Sequence, residues 1–339
     1  MLTHGELFAG IGGFGLGMER AGFKSAWAVE IDPFGQKVLR RRWPDLPILS
    51  DIRMCGDPNL SPVDLITFGF PCQDLSVAGK RRGLSGERSG LFYEAIRIAK
   101  EICPRWAIAE NVPGLLSSHR GRDFWAVLQG LRECWPAVGW RVLDSRHFGV
   151  PQRRRRVFFV CGPSEAAVAS VLFESEGGGG HPAASRETLP HLTARTGKGT
   201  DSDCTDGQIV TALRHLGSGG PDDNEAQGGH LVVGPLAPTL RGGQIGGREH
   251  GKPSASDQRN VMIGAWVRRL TPLECERLQS FPDGFTCLCT PLDAYAADRE
   301  QAAWNCKCPD GPRYRALGNA VTVSVVEWIG RRLMAAHVS

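Results

Sequence analysis

A doubly wound α/β fold is predicted by three features of the first 161 residues. Apolar runs of strand length alternate there with helical patterns. A glycine cluster (Gly10, Gly12, Gly13, Gly15, Gly17) follows the first run at once, and Cys72 and Glu110 stand where two later runs end. Ligand crevices of open α/β sheets lie outside the carboxyl ends of the strands, so all three features converge on one edge.

The first strand ends at Glu6-Leu7-Phe8. The glycines beyond it let the backbone turn tightly and approach a ligand, with amide groups directed at it from a helix start. Gly10-Ile11-Gly12-Gly13-Phe14-Gly15 satisfies the dinucleotide fingerprint, a weak pattern on its own. A second strand, Trp27-Ala28-Val29, ends in Glu30, at about the spacing where an acidic residue meets ribose hydroxyls. An adenosine-bearing ligand is therefore favoured over a purely structural turn. Asp51 follows another short apolar stretch and suits either the adenine edge or a loop or helix cap. The next strand, within Val63–Phe68, passes through Gly69-Phe70-Pro71 into a tight loop bearing the Cys72 thiol, either a reactive group or an incidental loop cysteine. A helix with Leu91, Ala95, Ile98 and Ile102 on its core face precedes the strand Trp106-Ala107-Ile108-Ala109, which runs into Glu110-Asn111-Val112-Pro113. If the two strands are neighbours, thiol and carboxyl group share one crevice; a carboxylate there also suits a helix cap or an arginine partner.

Composition bounds the class. The 339 residues are enough for two domains, and 41% hydrophobic with 22% charged residues is ordinary for a globular chain. No apolar run reaches the ~20 residues of a membrane span. The amino terminus lacks a basic-then-apolar secretion signal, and eleven cysteines, an odd number, point to reduced thiols in a cytoplasm. The net charge of +4 is modest, but Arg153 to Arg156 run together and Lys80, Arg81 and Arg82 are adjacent, so phosphate competes with a merely solvated basic face.

The chain changes character between about Glu174 and Asn260, where Gly, Thr, Asp and Pro dominate. Strand-like ends at Ile209-Val210, Leu231-Val232-Val233 and Val261-Met262-Ile263 favour a loop-rich binding domain over a disordered linker. A weak repeat, Leu192-Thr193-Ala194-Arg195, Thr211-Ala212-Leu213-Arg214 and Pro238-Thr239-Leu240-Arg241, suggests three hairpin-like units. Helical patterning returns from Arg268. Thr271-Pro272-Leu273-Glu274 is a capping box with proline at the first helical position, and Val321, Val325, Trp328 and Leu333 recur at helical spacing in a closing helix.

Taken together, these motifs resemble the DNA (cytosine-5) methyltransferases, which use S-adenosylmethionine, over most of the chain and in the expected order. Phe8-Ala9-Gly10-Ile11-Gly12-Gly13 resembles the cofactor loop of that family; Glu30-Ile31 and Asp51-Ile52 match its ribose and adenine contacts. Gly69-Phe70-Pro71-Cys72-Gln73 with Ser76 is similar to the nucleophile loop, Glu110-Asn111-Val112 to the acid motif, and Gln152 to Arg156 fits Gln-x-Arg-x-Arg, carrying over Arg154 and Arg156. Arg269–Pro272 through Phe281-Pro282-Asp283, and Gly318-Asn319-Ala320-Val321, resemble the last motifs. The resemblance further implies cofactor contacts at Pro71, Leu91, Asn319 and Ala320, a Rossmann-like methyltransferase domain and a smaller loop- and strand-rich target-recognition domain. The expected division is residues 1–161 catalytic, 162–309 target recognition with hinge, and 310–339 returning to the catalytic domain.

The implied chemistry explains these residue types. Carbon 5 of cytosine is a poor nucleophile until a thiolate adds at carbon 6, the part expected of Cys72. Glu110, with a raised carboxyl pKa, would protonate or hydrogen-bond ring nitrogen 3; Asn111 would orient the site, Arg154 would hold Glu110 and the base oxygen, and Arg156 the nucleophile loop or phosphates. The base must be flipped out of double-stranded DNA, the expected partner. Gln73, Ser76, Lys80, Arg81 and Arg82, in a glycine-rich stretch reaching Ser89, would close on phosphates, whereas Thr239, Leu240 and Arg241 with Gln244 would take part in sequence choice. Cys287-Leu288-Cys289 and Cys306-Lys307-Cys308 offer four thiolates to a structural zinc, at closer spacing than usual; free reduced cysteines are the alternative. An RNA cytosine methyltransferase, a catalytically inactive DNA-binding homologue and a nicotinamide oxidoreductase remain as other readings. A monomer is expected, with functional pairing to a restriction endonuclease as the partnership the resemblance suggests.

Overall fold

The computed structural model describes residues 1–56, 58–71, 90–173, 232–233, 260–263, 266–289 and 306–338. Its centre is a seven-stranded sheet: β1 (Thr3–Leu7), β2 (Lys24–Val29), β3 (Ile48–Leu49), β4 (Leu65–Gly69), β5 (Trp106–Asn111), β6 (Ala137–Asp144) and β7 (Arg155–Gly162), in the order β3-β2-β1-β4-β5-β7-β6. The strands run parallel except β7, which is antiparallel to both neighbours. The chain builds outward from β1 to β3, then restarts at β4 on the other side, so the switch point of the sheet lies between β1 and β4.

Helices cover both faces, which is why the central strands read as unbroken apolar runs. Alternate residues of each strand feed different cores. Ile66, Phe68, Ala107 and Phe159 join α3 (Leu91–Ile102) and α4 (Arg122–Arg132) through Phe92, Ala95, Val127 and Leu131. Leu65, Ile108, Phe158 and Val160 join the opposite core with α1 (Gly13–Arg20), α5 (Glu165–Leu172) and the closing helix α8 (Val323–Val338). Arg269–Pro272 leads, as expected, into a capped helix, α6 (Pro272–Leu278): Thr271 and Glu274 form the reciprocal capping box. A third core joins α6 and Phe281 and Phe285 to Ile11, to Val38 on α2 (Pro33–Arg42), and to Leu317 on α7 (Asp310–Asn319). Residues beyond positions 161 and 309 thus share cores with the first block.

The strand-like ends at Val232 and Val261 become β8 (Val232–Val233) and β9 (Asn260–Ile263), paired in parallel, with β10 (Trp266–Arg269) antiparallel to β9. The repeats at Arg195, Arg214 and Arg241 lie outside the described residues.

Candidate active site

The glycine turn sits at the switch point. Phe8 leaves β1 with φ +54° and Gly10 follows at +57°, both in the left-handed region. A side-chain carbon built on Gly10 would meet nothing within 4 Å, so the turn faces open space there. Gly17 is different in kind: the same addition would lie 2.5 Å from Val326 Cγ1, so its bareness lets α8 seat on α1. The run of glycines therefore divides into an open part at Gly10 and a packing part that includes Gly17.

Glu30, at the end of β2, is buried and accepts from Gly10 N–H at 2.5 Å and from Asp32 N–H at 2.6 Å. Burial raises its pKa against those two donors. The next side chain, Ile31, is 65% exposed, an apolar surface beside a carboxylate. Asp51 caps the 3-10 turn Ile52–Met54 and pairs with Arg53 at 2.7 Å, which holds its carboxyl below the usual range; Ile52 is buried behind it. Ala9, Ile11 and Gly12 are buried beneath the turn, and Gly13 opens α1. At the far end of α7, Asn319 is exposed while Ala320 is buried in the core that contains Ile11. An open glycine turn flanked by two carboxylates and an exposed apolar side chain fits an adenosine-bearing cofactor.

The reaction side lies one strand over. Gly69 and Glu110 are register partners across β4 and β5. Glu110 is buried, and its Oε1 lies 3.0 Å from Arg156 Nε. Burial raises its pKa, and the Arg156 and Arg154 charges pull against that rise. Asn111 donates to the carbonyl of Phe70 at 2.9 Å, fixing the strand exit two residues before Cys72. Pro71 is exposed and Leu91, half-buried, opens α3. Cys72 itself, Gln73, Ser76, Lys80, Arg81, Arg82, Thr239, Leu240 and Arg241 lie outside the described residues.

The reversal of β7 explains the arginine motif. Gln152 and Arg154 are buried, Arg153 and Arg155 exposed, and Arg156 turns back inward, a period of two characteristic of extended chain. Because β7 is antiparallel to β5, its start reaches the carboxyl end of β5, where Glu110 lies. Arg156 takes the carboxyl partner expected of Arg154. Arg156 pairs with Glu110, whereas Arg154 Nη2 donates to the carbonyls of Gly318 and Ala320 at 3.0 and 2.8 Å. The length of the side chain on a neighbouring strand decides this, because Arg156 is diagonal to Glu110 on the same sheet face.

Three supporting residues had no signal in local sequence. Glu6, buried under the glycine turn, accepts from Phe14 N–H at 3.2 Å and Gly15 N–H at 2.9 Å, capping α1 from a different element. Asp144 accepts from Arg154 N–H at 3.1 Å. Thr322 donates to Gln279 Oε1 at 2.7 Å and meets Ser145 Oγ at 2.7 Å, tying α6, α8 and the segment after β6 together.

The fold and this edge define an α/β methyltransferase. The Dnmt2 methyltransferase of S. pombe superposes with a TM-score of 0.61 at 18% identity, covering 99% of each chain, a likeness of fold alone. The sequence profile of the C-5 cytosine-specific DNA methylases matches residues 2–192 and 244–335, and the chain belongs to that family. It is a DNA (cytosine-5-)-methyltransferase, and the family implies S-adenosylmethionine as methyl donor. It is similar to the type II methyltransferase M2.BsuMI of Bacillus subtilis strain 168, 30% identical over 97% of this chain and 74% of that protein. It is also similar to a protein of Escherichia phage P1 named as a DNA N-6-adenine-methyltransferase, 29% identical over 99% of this chain, which spans 61% of that longer protein. No helix among the described residues is long and apolar enough to cross a membrane.

Proposed function

We propose that this chain methylates carbon 5 of a flipped-out cytosine in double-stranded DNA at a fixed sequence, with Cys72 as nucleophile and Glu110 as acid. One arrangement carries the reading: a buried carboxyl group of raised pKa at the end of β5, opposite Gly69, with Asn111 holding the strand exit that leads to Cys72. S-adenosylmethionine supplies an electrophilic methyl group when bound. Phe8 to Gly13, Glu30, Ile31, Asp51, Ile52, Pro71, Leu91, Asn319 and Ala320 are assigned to its binding.

The Cys72 thiolate adds to carbon 6, and the electron pair displaced into the ring is met at nitrogen 3 by the Glu110 proton. Carbon 5 thereby becomes nucleophilic enough to accept a methyl group. Loss of the carbon 5 proton to water then lets the sulfur–carbon 6 bond break, returning Cys72 as thiolate, and nitrogen 3 gives its proton back to Glu110. Arg156 orients Glu110, and Arg154 positions the turn at Gly318–Ala320. Lys80, Arg81 and Arg82 are assigned to phosphate, and the region between 174 and 259, with Thr239, Leu240 and Arg241, to base readout. The type II names of relatives support pairing with a restriction endonuclease that cuts the same sequence. The four cysteines at 287, 289, 306 and 308 belong to structure, since nothing in thiolate addition calls for a metal.

The phage P1 relative suggests adenine as a second target. The exocyclic nitrogen of adenine requires no thiol adduct, so Cys72→Ala separates the readings. Incubation with unmethylated DNA and S-adenosylmethionine, followed by bisulfite sequencing, should show protected cytosines in a fixed context, absent with Cys72→Ala although cofactor binding persists. Methylation that survives in the variant, or appears on adenine, defeats the cytosine reading. Activity on RNA but not DNA defeats the DNA assignment.

A further inference from the structure

The sulfurs of Cys287, Cys289, Cys306 and Cys308 form a closed cluster, although the two Cys-x-Cys pairs are far apart in sequence. Cys287 Sγ lies 3.7 Å from Cys289, 3.4 Å from Cys306 and 4.0 Å from Cys308, and Cys289 lies 3.7 Å from Cys306. All four sulfurs fall within 4.8 Å of one another. A tetrahedral metal with four thiolates at about 2.3 Å sets its sulfurs ~3.8 Å apart. A disulfide requires about 2.05 Å and joins only two. Neutral thiols gain little from such closeness, because S–H is a weak donor, and four thiolates without a cation repel.

The surroundings suit a doubly negative metal–tetrathiolate centre. Leu288 N–H donates to Cys308 Sγ and Lys307 N–H to Cys289 Sγ, each at 3.1 Å. Arg313, buried, directs Nη1 to Cys306 Sγ at 3.4 Å and Nη2 to Glu276 at 3.2 Å. Glu276 in turn accepts from Gly284 and Thr286 N–H at 2.7 and 2.8 Å. Donors that point at ligand sulfurs orient them and spread their charge. From the other side, Arg41 donates to the carbonyl of Leu288 and Arg42 to those of Phe285 and Gly284, so α2 grips the segment that carries the first pair.

The second pair stands at the head of α7. Pro309 caps that helix directly after Cys308, and its far end is Gly318-Asn319, some 15 Å away at 1.5 Å per residue. There Arg154 holds the carbonyls of Gly318 and Ala320, and Ala320 packs in the core with Ile11 of the glycine turn. A fixed point at one end of a rigid helix thus sets the position of the other.

We infer that these four cysteines hold one zinc ion as a structural tetrathiolate centre, and that this centre fixes α7 so that Gly318–Ala320 is preorganised against the glycine turn. Zinc suits the site because it imposes no geometry beyond the tetrahedron and brings no redox chemistry. Binding expels the four thiol protons to solvent. The link to the cofactor rests on the assignment of Asn319 and Ala320 proposed above; the metal itself does not.

Elemental analysis of the purified full chain, grown with zinc and reductant, should give about one zinc per chain. Replacement by cobalt should give the ligand-field and thiolate charge-transfer bands of tetrahedral cobalt with four sulfurs. Cys289→Ser, at the exposed corner, should lose the metal and weaken S-adenosylhomocysteine binding by about tenfold, with circular dichroism unchanged. Cys72→Ala should keep its zinc, which separates this result from any failure of the methylation reading. Iron in place of zinc, a disulfide among the four, or no metal with all four thiols open to alkylation would overturn the assignment. Zinc bound by the parent chain and lost from Cys289→Ser with cofactor affinity unmoved would overturn the preorganising role, and zinc retained by Cys289→Ser would overturn the four-cysteine ligand set.

Discussion

Glu110 shows how one side chain can be read only through its neighbours. Its place at a strand end is visible in sequence, but its partner Arg156 is 46 positions away and becomes adjacent only because β7 runs backward. Burial raises its pKa while Arg156 lowers it. The protonated form is the acid, so the rate should fall as pH rises through the Glu110 pKa. Arg156→Ala removes the stabilisation of the carboxylate and should shift that alkaline limb to higher pH. Glu110→Gln should cut kcat by ~10²- to 10⁴-fold and abolish the limb. Profiles of kcat against pH check both, and an unmoved limb in Arg156→Ala would count against the pairing as a control on the acid.

Among elements, strand ends were legible and long-range pairings were not. β2, β4 and β5 announced themselves as apolar runs, β1 through its Leu7-Phe8 end and the glycines beyond it, and α6 through its capping box, because each signal is local. The glycine run was legible as a turn but not as two devices, since only the packing of α8 distinguishes Gly17 from Gly10. Gly17→Ala should therefore destabilise the fold by about 1–3 kcal/mol, through overpacking against Val326, while leaving cofactor affinity nearly unchanged. Urea denaturation beside a cofactor titration separates those effects; an affinity loss without a stability loss would return Gly17 to the ligand. The Asp51–Arg53 pair was likewise invisible, because a loop sequence does not say which neighbour a carboxylate takes.

For the whole molecule, two buried titratable groups on β1 shape the dependence of stability on pH. Burial pushes Glu6 up from 4.5 to about 8, with the Glu30 and Glu19 charges adding to it and the Gly15 and Phe14 N–H groups opposing. Its contribution is present below about 4.5 and lost as pH rises towards about 8. Burial pushes His4 down from 6.5 to about 3, and its contribution is present above about 6.5 and lost as pH falls towards about 3. Between 4.5 and 6.5 the two slopes oppose each other, so a plateau is expected there, with decline on either side. Urea midpoints measured across that range test this, and Glu6→Gln should flatten the alkaline decline and turn the plateau into a rise with pH, the His4 slope being left unopposed there. The return of the chain to its first block was legible through the family resemblance, periodicity giving only the closing helix, whereas the sharing of cores by α5, α6 and α7 was not, because helical periodicity names no partner.

The seating of α8 on α1 also has a consequence in time. Phe14 and Met18 are made about 300 residues before Val326 and Ile329, the side chains that cover them. At ribosomal speeds of roughly 5–20 residues per second, that face waits on the order of half a minute without its lid. A nascent chain in that interval offers an apolar surface to chaperones and to other chains alike. The methyl-transferring body can close only after the whole region between residues 174 and 259 has emerged, so synthesis delivers the intervening segment before the body that flanks it is complete.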